Sequence, residues 1–230
     1  MREKLLWDEG WRFHPGEIPK NRPVAKGPMY SSAKTERERW GGAAIHHNDN
    51  PDDYAAGELG TEIWQSITLP HDFVISGAFS PDNNSPLGYL PYGVGWYRRH
   101  FRVTEADRGR RLVLCFEAVA NRCTVYCNGS PIVRNHCGYN SFFADITDFV
   151  RYDTDNVLAV YVDATEHEGW WYEGGGIYRH VWLTKTDPVH VAPYGVFVRP
   201  RKTESGWCIE VETELANDGD TGAEGRVTHT

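Results

Sequence analysis

Residues 111–133 read RLVLCFEAVANRCTVYCNGSPIV, and this run decides the fold. Leu112, Leu114 and Phe116 fall on one side of it, Val113 and Cys115 on the other. That period of two is what a pleated strand imposes on its side chains. A second alternating run, residues 123–127, leads into Asn128-Gly129, and Ile132 and Val133 follow. Asn-Gly between two alternating runs signals a hairpin, because both residues accept positive φ. Cys123 and Cys127 share one face of the strand, which suits small buried thiols.

Working outward, further strands are expected at residues 96–103, 157–163 and 177–184, separated by Gly, Pro, Asn and Asp. Such spacing predicts an antiparallel β-sandwich. Residues 141–149 (SFFADITDF) are expected to hold one helical turn before Val150, and no long amphipathic helix is read. Past Asp187-Pro188 the alternation resumes at residues 189–198 and again, strictly, at 207–215 (WCIEVETEL). Residues 225–230 are expected to begin a third strand. An immunoglobulin-type sandwich needs about seven strands and about 100 residues, so residues 188–230 would supply only its N-terminal part. On this expectation Val196, Val198, Ile209 and Val211 lie on an uncovered face. The first domain spans residues 1–187, with a polar surface excursion at 27–54.

The chain has 230 residues and a net charge of −8, with its basic residues scattered. That excludes nucleic acid and anionic membrane as expected partners. Five cysteines without framework spacing read as free thiols of a reducing compartment. The N-terminus carries no apolar run of signal-peptide or membrane-span length, so a cytoplasmic location is expected.

Few residues announce chemistry. His46-His47 and the acidic run after them lack the central Gly and closing Glu of a calcium loop, and Pro51 interrupts them. No metal and no cofactor is assigned. No P-loop, dinucleotide fingerprint, HExxH or GxSxG occurs. What stands out is residues 169–183, GWWYEGGGIYRHVWL, where Trp170, Trp171 and Tyr172 run into a glycine triplet and an expected strand. Rings held at the head of a strand suit the apolar faces of a sugar; the other reading is a hydrophobic plug closing the sandwich. Glu168 and Glu173 bracket these rings. Asp72, in LPHDF, and Asn83, in a proline- and glycine-rich loop, offer groups for sugar hydroxyls. For Asp72 the competing reading is capping of its own turn.

Six separated segments resemble glycoside hydrolase family 2 in order: GWRFHPGE (10–17), LPHDF (69–73), GYLPYGVGWYRRHF (88–101), VYCNG (125–129), DNVLAVYVD (155–163) and residues 169–183. The likeness is greatest to the β-galactosidase-like branch. It implies a jelly-roll, galactose-binding-domain-like β-sandwich, then an immunoglobulin-like sandwich, incomplete here, and a (β/α)₈ barrel with both catalytic glutamates beyond residue 230. No residue of this chain is therefore assigned as catalytic, and the chain by itself is expected to be inactive.

The resemblance further implies that the loop carrying Glu168 through Glu173 shapes the substrate pocket at the barrel mouth, with Trp171 and Tyr172 at the family's Trp-Tyr positions. Trp170 stands where the branch often has Arg, and Glu173 where it often has Pro. Arg179 is assigned to tying strands or domains together. The expected partners are a β-galactoside or related carbohydrate and the enzyme's own barrel, with homo-oligomerisation left open. A free-standing lectin-like module and a purely structural or oligomer-forming domain are the alternative readings.

Overall fold

The structure is a computed structural model, described at residues 2–18, 42–44, 49, 64–83, 88–166, 169 and 171–229. It is all β. Two antiparallel sheets face each other. The smaller contains β1 (Glu3–Leu6), β10 (Val181–Thr186), β5 (Arg111–Phe116) and β8 (Phe142–Asp145), in that order. The larger runs β3 (Gln65–Ile67), β2 (Trp11–Pro15), β4 (Val94–Arg102), β9 (Asp155–Asp163), β6 (Arg122–Cys127) and β7 (Ser130–Asn135). The core between them takes Leu112, Leu114 and Phe116 from β5, Cys123, Val125 and Cys127 from β6, and Leu158, Val160 and Val162 from β9. Alternation in residues 111–133 therefore maps directly onto the sandwich interior. Asn128 and Gly129 turn the β6–β7 hairpin with φ of 50° and 84°, as the Asn-Gly pair predicts.

β4 and β9 are buried on both faces, which alternation alone does not announce. Their outward residues Trp96, Ala159 and Tyr161 pack with Tyr126, Ile18, Ala43 and Trp64 in a second apolar layer. Arg98 lies in this layer, fully buried. Its guanidinium donates to Asp49 (2.7 Å) and to the carbonyls of Gly42 (2.6 Å) and Ala44 (2.9 Å). Charge and hydrogen bonds offset the burial of the cation. Asp49 is the described member of the acidic run at 46–53, and its carboxylate is thus engaged by Arg98 and by His100 (3.0 Å). His46 and His47 lie outside the described residues. Among the described residues no group of three His, Cys, Asp or Glu could hold a metal ion.

Several local expectations need correction. Residues 177–180 are not strand: β10 begins at Val181. The preceding backbone is bonded elsewhere, Gly175 and Ile177 accepting from Phe73 and His71 while Gly176 bridges Ala120. Residues 142–145 form a strand, and only afterwards does a single turn close, Val150 N to Ile146 O at 3.2 Å. No strand forms over residues 225–229.

Among the described residues, β11 (Val189–Thr203) and β12 (Gly206–Asn217) pair only with each other. Val196, Val198 and Ile209 are exposed on this hairpin, as are Phe197 and Trp207; Val211 is only half-exposed. Tyr194, at a register shift in β11, meets Phe143 of β8 edge-on at 5.7 Å. All five cysteines are free thiols, with Cys123 and Cys127 buried. No helix among the described residues is long and apolar enough to cross a membrane.

Candidate functional site

The glycine triplet explains how the aromatic loop meets the 69–77 turn. A Cβ on Gly174 would come within 2.6 Å of Asp72 Oδ2, one on Gly175 within 2.6 Å of Val74 Cγ2, and one on Gly176 within 2.3 Å of Tyr97 Oη. Gly176 also has a φ of 129°, a region other residues avoid. Two stretches about 100 residues apart in sequence can therefore lie backbone against side chain.

Asp72 occupies this junction and does two things at once. Its Oδ1 accepts from Val74 N (2.9 Å) and Ile75 N (3.3 Å), capping its own turn, and from Gly175 N (3.1 Å) across the junction. Its Oδ2 accepts the Tyr172 hydroxyl at 2.6 Å. Burial and the Asp72 hydrogen bond both push the Tyr172 phenol up, so it stays a donor at neutral pH. Tyr92 packs 6.5 Å from the Tyr172 ring, and its hydroxyl accepts from Glu173 N. The same turn lines a cleft of about 420 Å³ with Phe13, His71, Phe73 and Pro91. Burial lowers the pKa of His71, whose Nδ1 lies 2.8 Å from the Tyr97 hydroxyl.

Trp171 is 57% exposed, and its indole N–H donates to the Tyr139 hydroxyl at 3.2 Å. Tyr139 is itself 56% exposed. A residue closing a sandwich would be buried, so the plug reading does not describe Trp171. The indole N–H thus ties two exposed rings together at the surface.

The structure brings Asp72, Trp171, Tyr172 and Glu173 together, but in different capacities. Both oxygens of Glu173 are engaged, one accepting from Gly169 N within the loop and the other from Asn121 Nδ2 outside it, each at 3.0 Å. Glu173 therefore braces the loop. Asn83 bonds the Tyr89 carbonyl (3.0 Å) and closes its own loop rather than joining the aromatic one. Glu168 and Trp170 lie outside the described residues. Arg179 is exposed, with its guanidinium over the Tyr178 ring at 5.6 Å. Sequence reading missed Tyr139, Tyr92 and Asn121. Only Tyr92 carried a signal, as the last residue of a proline-rich loop already singled out.

The family model described as "Glycosyl hydrolases family 2, sugar binding domain" matches residues 51–188. The chain belongs to glycosyl hydrolase family 2. It is 41% identical over 162 residues to the β-galactosidase BoGH2A of Bacteroides ovatus, a match covering 69% of this chain and 19% of that protein. A β-glucuronidase of Formosa agariphila is 29% identical over 180 residues, covering 67% and 18%. Among solved structures, a β-glycosidase from Bacteroides vulgatus superposes with a TM-score of 0.73 at 26% identity, over 95% of this chain and 25% of that one. The chain thus spans about a fifth of the length of the curated relatives it matches.

Proposed function

We propose that this family 2 chain is the non-catalytic N-terminal part of a retaining β-glycosidase acting on β-galactosides. Residues 1–187 form its jelly-roll domain, and residues 188–230 open an immunoglobulin-like one. The observation that carries the reading is the exposed Trp171–Tyr139 pair beside the Tyr172–Asp72 bond. This cluster presents flat rings and an ordered carboxylate together, the means by which a protein grips a sugar's apolar face and its hydroxyls.

In the complete enzyme two carboxylates of the barrel would carry out displacement through a covalent glycosyl intermediate. This part contributes binding energy and pocket shape, and the chain alone hydrolyses nothing. The 41% identity to a β-galactosidase supports a galactoside over a glucuronide.

Two measurements test this. An antibody against the chain should detect, in its source cells, a polypeptide several times heavier than 26.2 kDa; a band at that mass removes the barrel. In the heavier polypeptide, Trp171→Ala should lower kcat/KM for a β-galactoside by roughly tenfold or more, the scale of one lost stacking contact at a sugar. Unchanged kcat/KM per folded molecule would return the loop to a structural role.

A further inference from the structure

The aromatic loop is set in a closed circuit of contacts whose origin lies outside it. Asn121, in the connection between β5 and β6, spends its side-chain amide on two acceptors: Glu173 Oε2 at 3.0 Å and the Glu166 carbonyl at 3.2 Å. An amide nitrogen has two hydrogens, so both bonds form at once. The other oxygen of Glu173 accepts from Gly169 N.

Gly169 lies directly beneath the Trp171 indole. A Cβ on it would sit 2.3, 2.4 and 2.5 Å from three consecutive atoms of the six-membered ring. Near-equal distances of that kind place the position over the ring's face rather than at its edge. Gly169 therefore covers one face of an indole that is 57% exposed overall. The indole N–H then reaches Tyr139, and the neighbouring Gly138 closes the circuit. A Cβ on Gly138 would approach Asn121 Oδ1 to 2.9 Å, and its carbonyl accepts the Tyr178 hydroxyl at 2.5 Å.

We infer that Asn121 is the positioning residue of this site: through Glu173 and Gly169 it fixes the plane of Trp171 so that a single indole face is presented outward. Asn121 does not touch the ligand. The importance of that plane for sugar binding rests on the function proposed above; the positioning itself does not. Asparagine suits the task because it donates twice without charge. Aspartate would set a carboxylate against Glu173, and alanine would leave both acceptors without their donor.

The test is NMR on the 230-residue protein. In the wild type, a Gly169 Hα should lie far upfield through the indole ring current, and Trp171→Ala should abolish that displacement and so assign it. Asn121→Ala should move the signal most of the way to an ordinary glycine position while the dispersion of the sandwich core stays native, the Ala120–Gly176 bridge being backbone only. An unchanged Gly169 shift in Asn121→Ala overturns the proposal. Asn121→Asp adds a pH profile: displacement lost at neutral pH, where two carboxylates face each other, and recovered in acid, where they share a proton. An acid-insensitive Asn121→Asp also overturns it.

Methyl β-galactoside separates the two ideas. Weakening of its affinity by roughly three- to tenfold in Asn121→Ala supports both. A wild type that shows the ring-current shift but no response to sugar leaves the positioning standing and removes a free-standing sugar-binding role for the chain.

Discussion

The Tyr172 hydroxyl donates to Asp72 Oδ2 at 2.6 Å across 100 residues of chain. This bond latches the aromatic loop to the 69–77 turn. Tyr172 is 41% exposed, so solvent screening holds its worth to about 1 kcal/mol. Tyr172→Phe should lower stability by that amount. Asp72→Ala should cost more, about 2 kcal/mol, because it also uncaps Val74 and Gly175. Urea unfolding of the two single variants and the double variant would give the coupling, and strict additivity would show the latch contributes nothing.

His100 has a carboxylate at each ring nitrogen, Asp155 at Nδ1 (2.6 Å) and Asp49 at Nε2 (3.0 Å). Only the imidazolium donates to both. The Asp49 hydrogen bond leads in raising the His100 pKa, and burial opposes it. For Asp49 burial acts upward, but His100 and Arg98 together outweigh it and bring the carboxyl from 3.8 to about 2. A raised histidine stabilises fully below its unfolded value of about 6.5 and loses that contribution as pH rises through the folded value. A depressed aspartate stabilises above about 4 and fades as pH falls towards 2. The triad is therefore strongest between about pH 4 and 6.5. The Asp49 share is about 2 kcal/mol. A plot of urea midpoint against pH should show the wild type's advantage over His100→Gln peaking in that window; a flat difference would mean that His100 is not charged there.

Gly176→Ala should be among the most damaging single-methyl additions in the chain, costing about 3 kcal/mol or more. It combines a φ of 129° with contacts of 2.3 Å to Tyr97 Oη and 2.6 Å to the His71 carbonyl. Gly222→Ala, with nothing within 4 Å, is the control. Equal thermal midpoints for the two would contradict the close approach.

The β11–β12 hairpin leaves Phe197, Trp207 and Ile209 exposed and pairs with no other strand among the described residues. Open edges and exposed apolar side chains make such a ribbon weaker than the two-sheet sandwich. Limited proteolysis should trim the chain back towards Asp187 and leave a resistant core. A hairpin that survives protease as long as the sandwich would refute this.

The two-residue period of β5 and β6 carried its own answer, because which face is buried follows from alternation once a sandwich exists. Asn128-Gly129 was legible for a similar local reason. The second layer was not. Arg98 reads as one more polar residue in a strand, and only the return of Asp49, 49 positions earlier, makes it a buried anchor. The start of β10 was misplaced since residues 177–180 read as a continuation of the strand, whereas the backbone of Gly175 to Ile177 bonds to the 69–77 turn and to Ala120. At the site, the rings were visible as a cluster, whereas Asn121 and Tyr139 were hidden because their partners lie 52 and 32 residues away. Local pattern reveals what a residue is suited to; the partner that engages it is a property of topology.

The thiols of Cys123 and Cys127 face the centre of the sandwich, and burial pushes both up to about 12. Neither is a nucleophile while the two sheets stay together. Cys208 sits on the hairpin, half-exposed, with its sulfur 3.4 Å from the Arg201 carbonyl. The molecule thus carries its own timer: alkylation reaches the half-exposed sulfurs of Cys115, Cys137 and Cys208 without waiting, and reaches the inner pair only at the rate at which the sheets part.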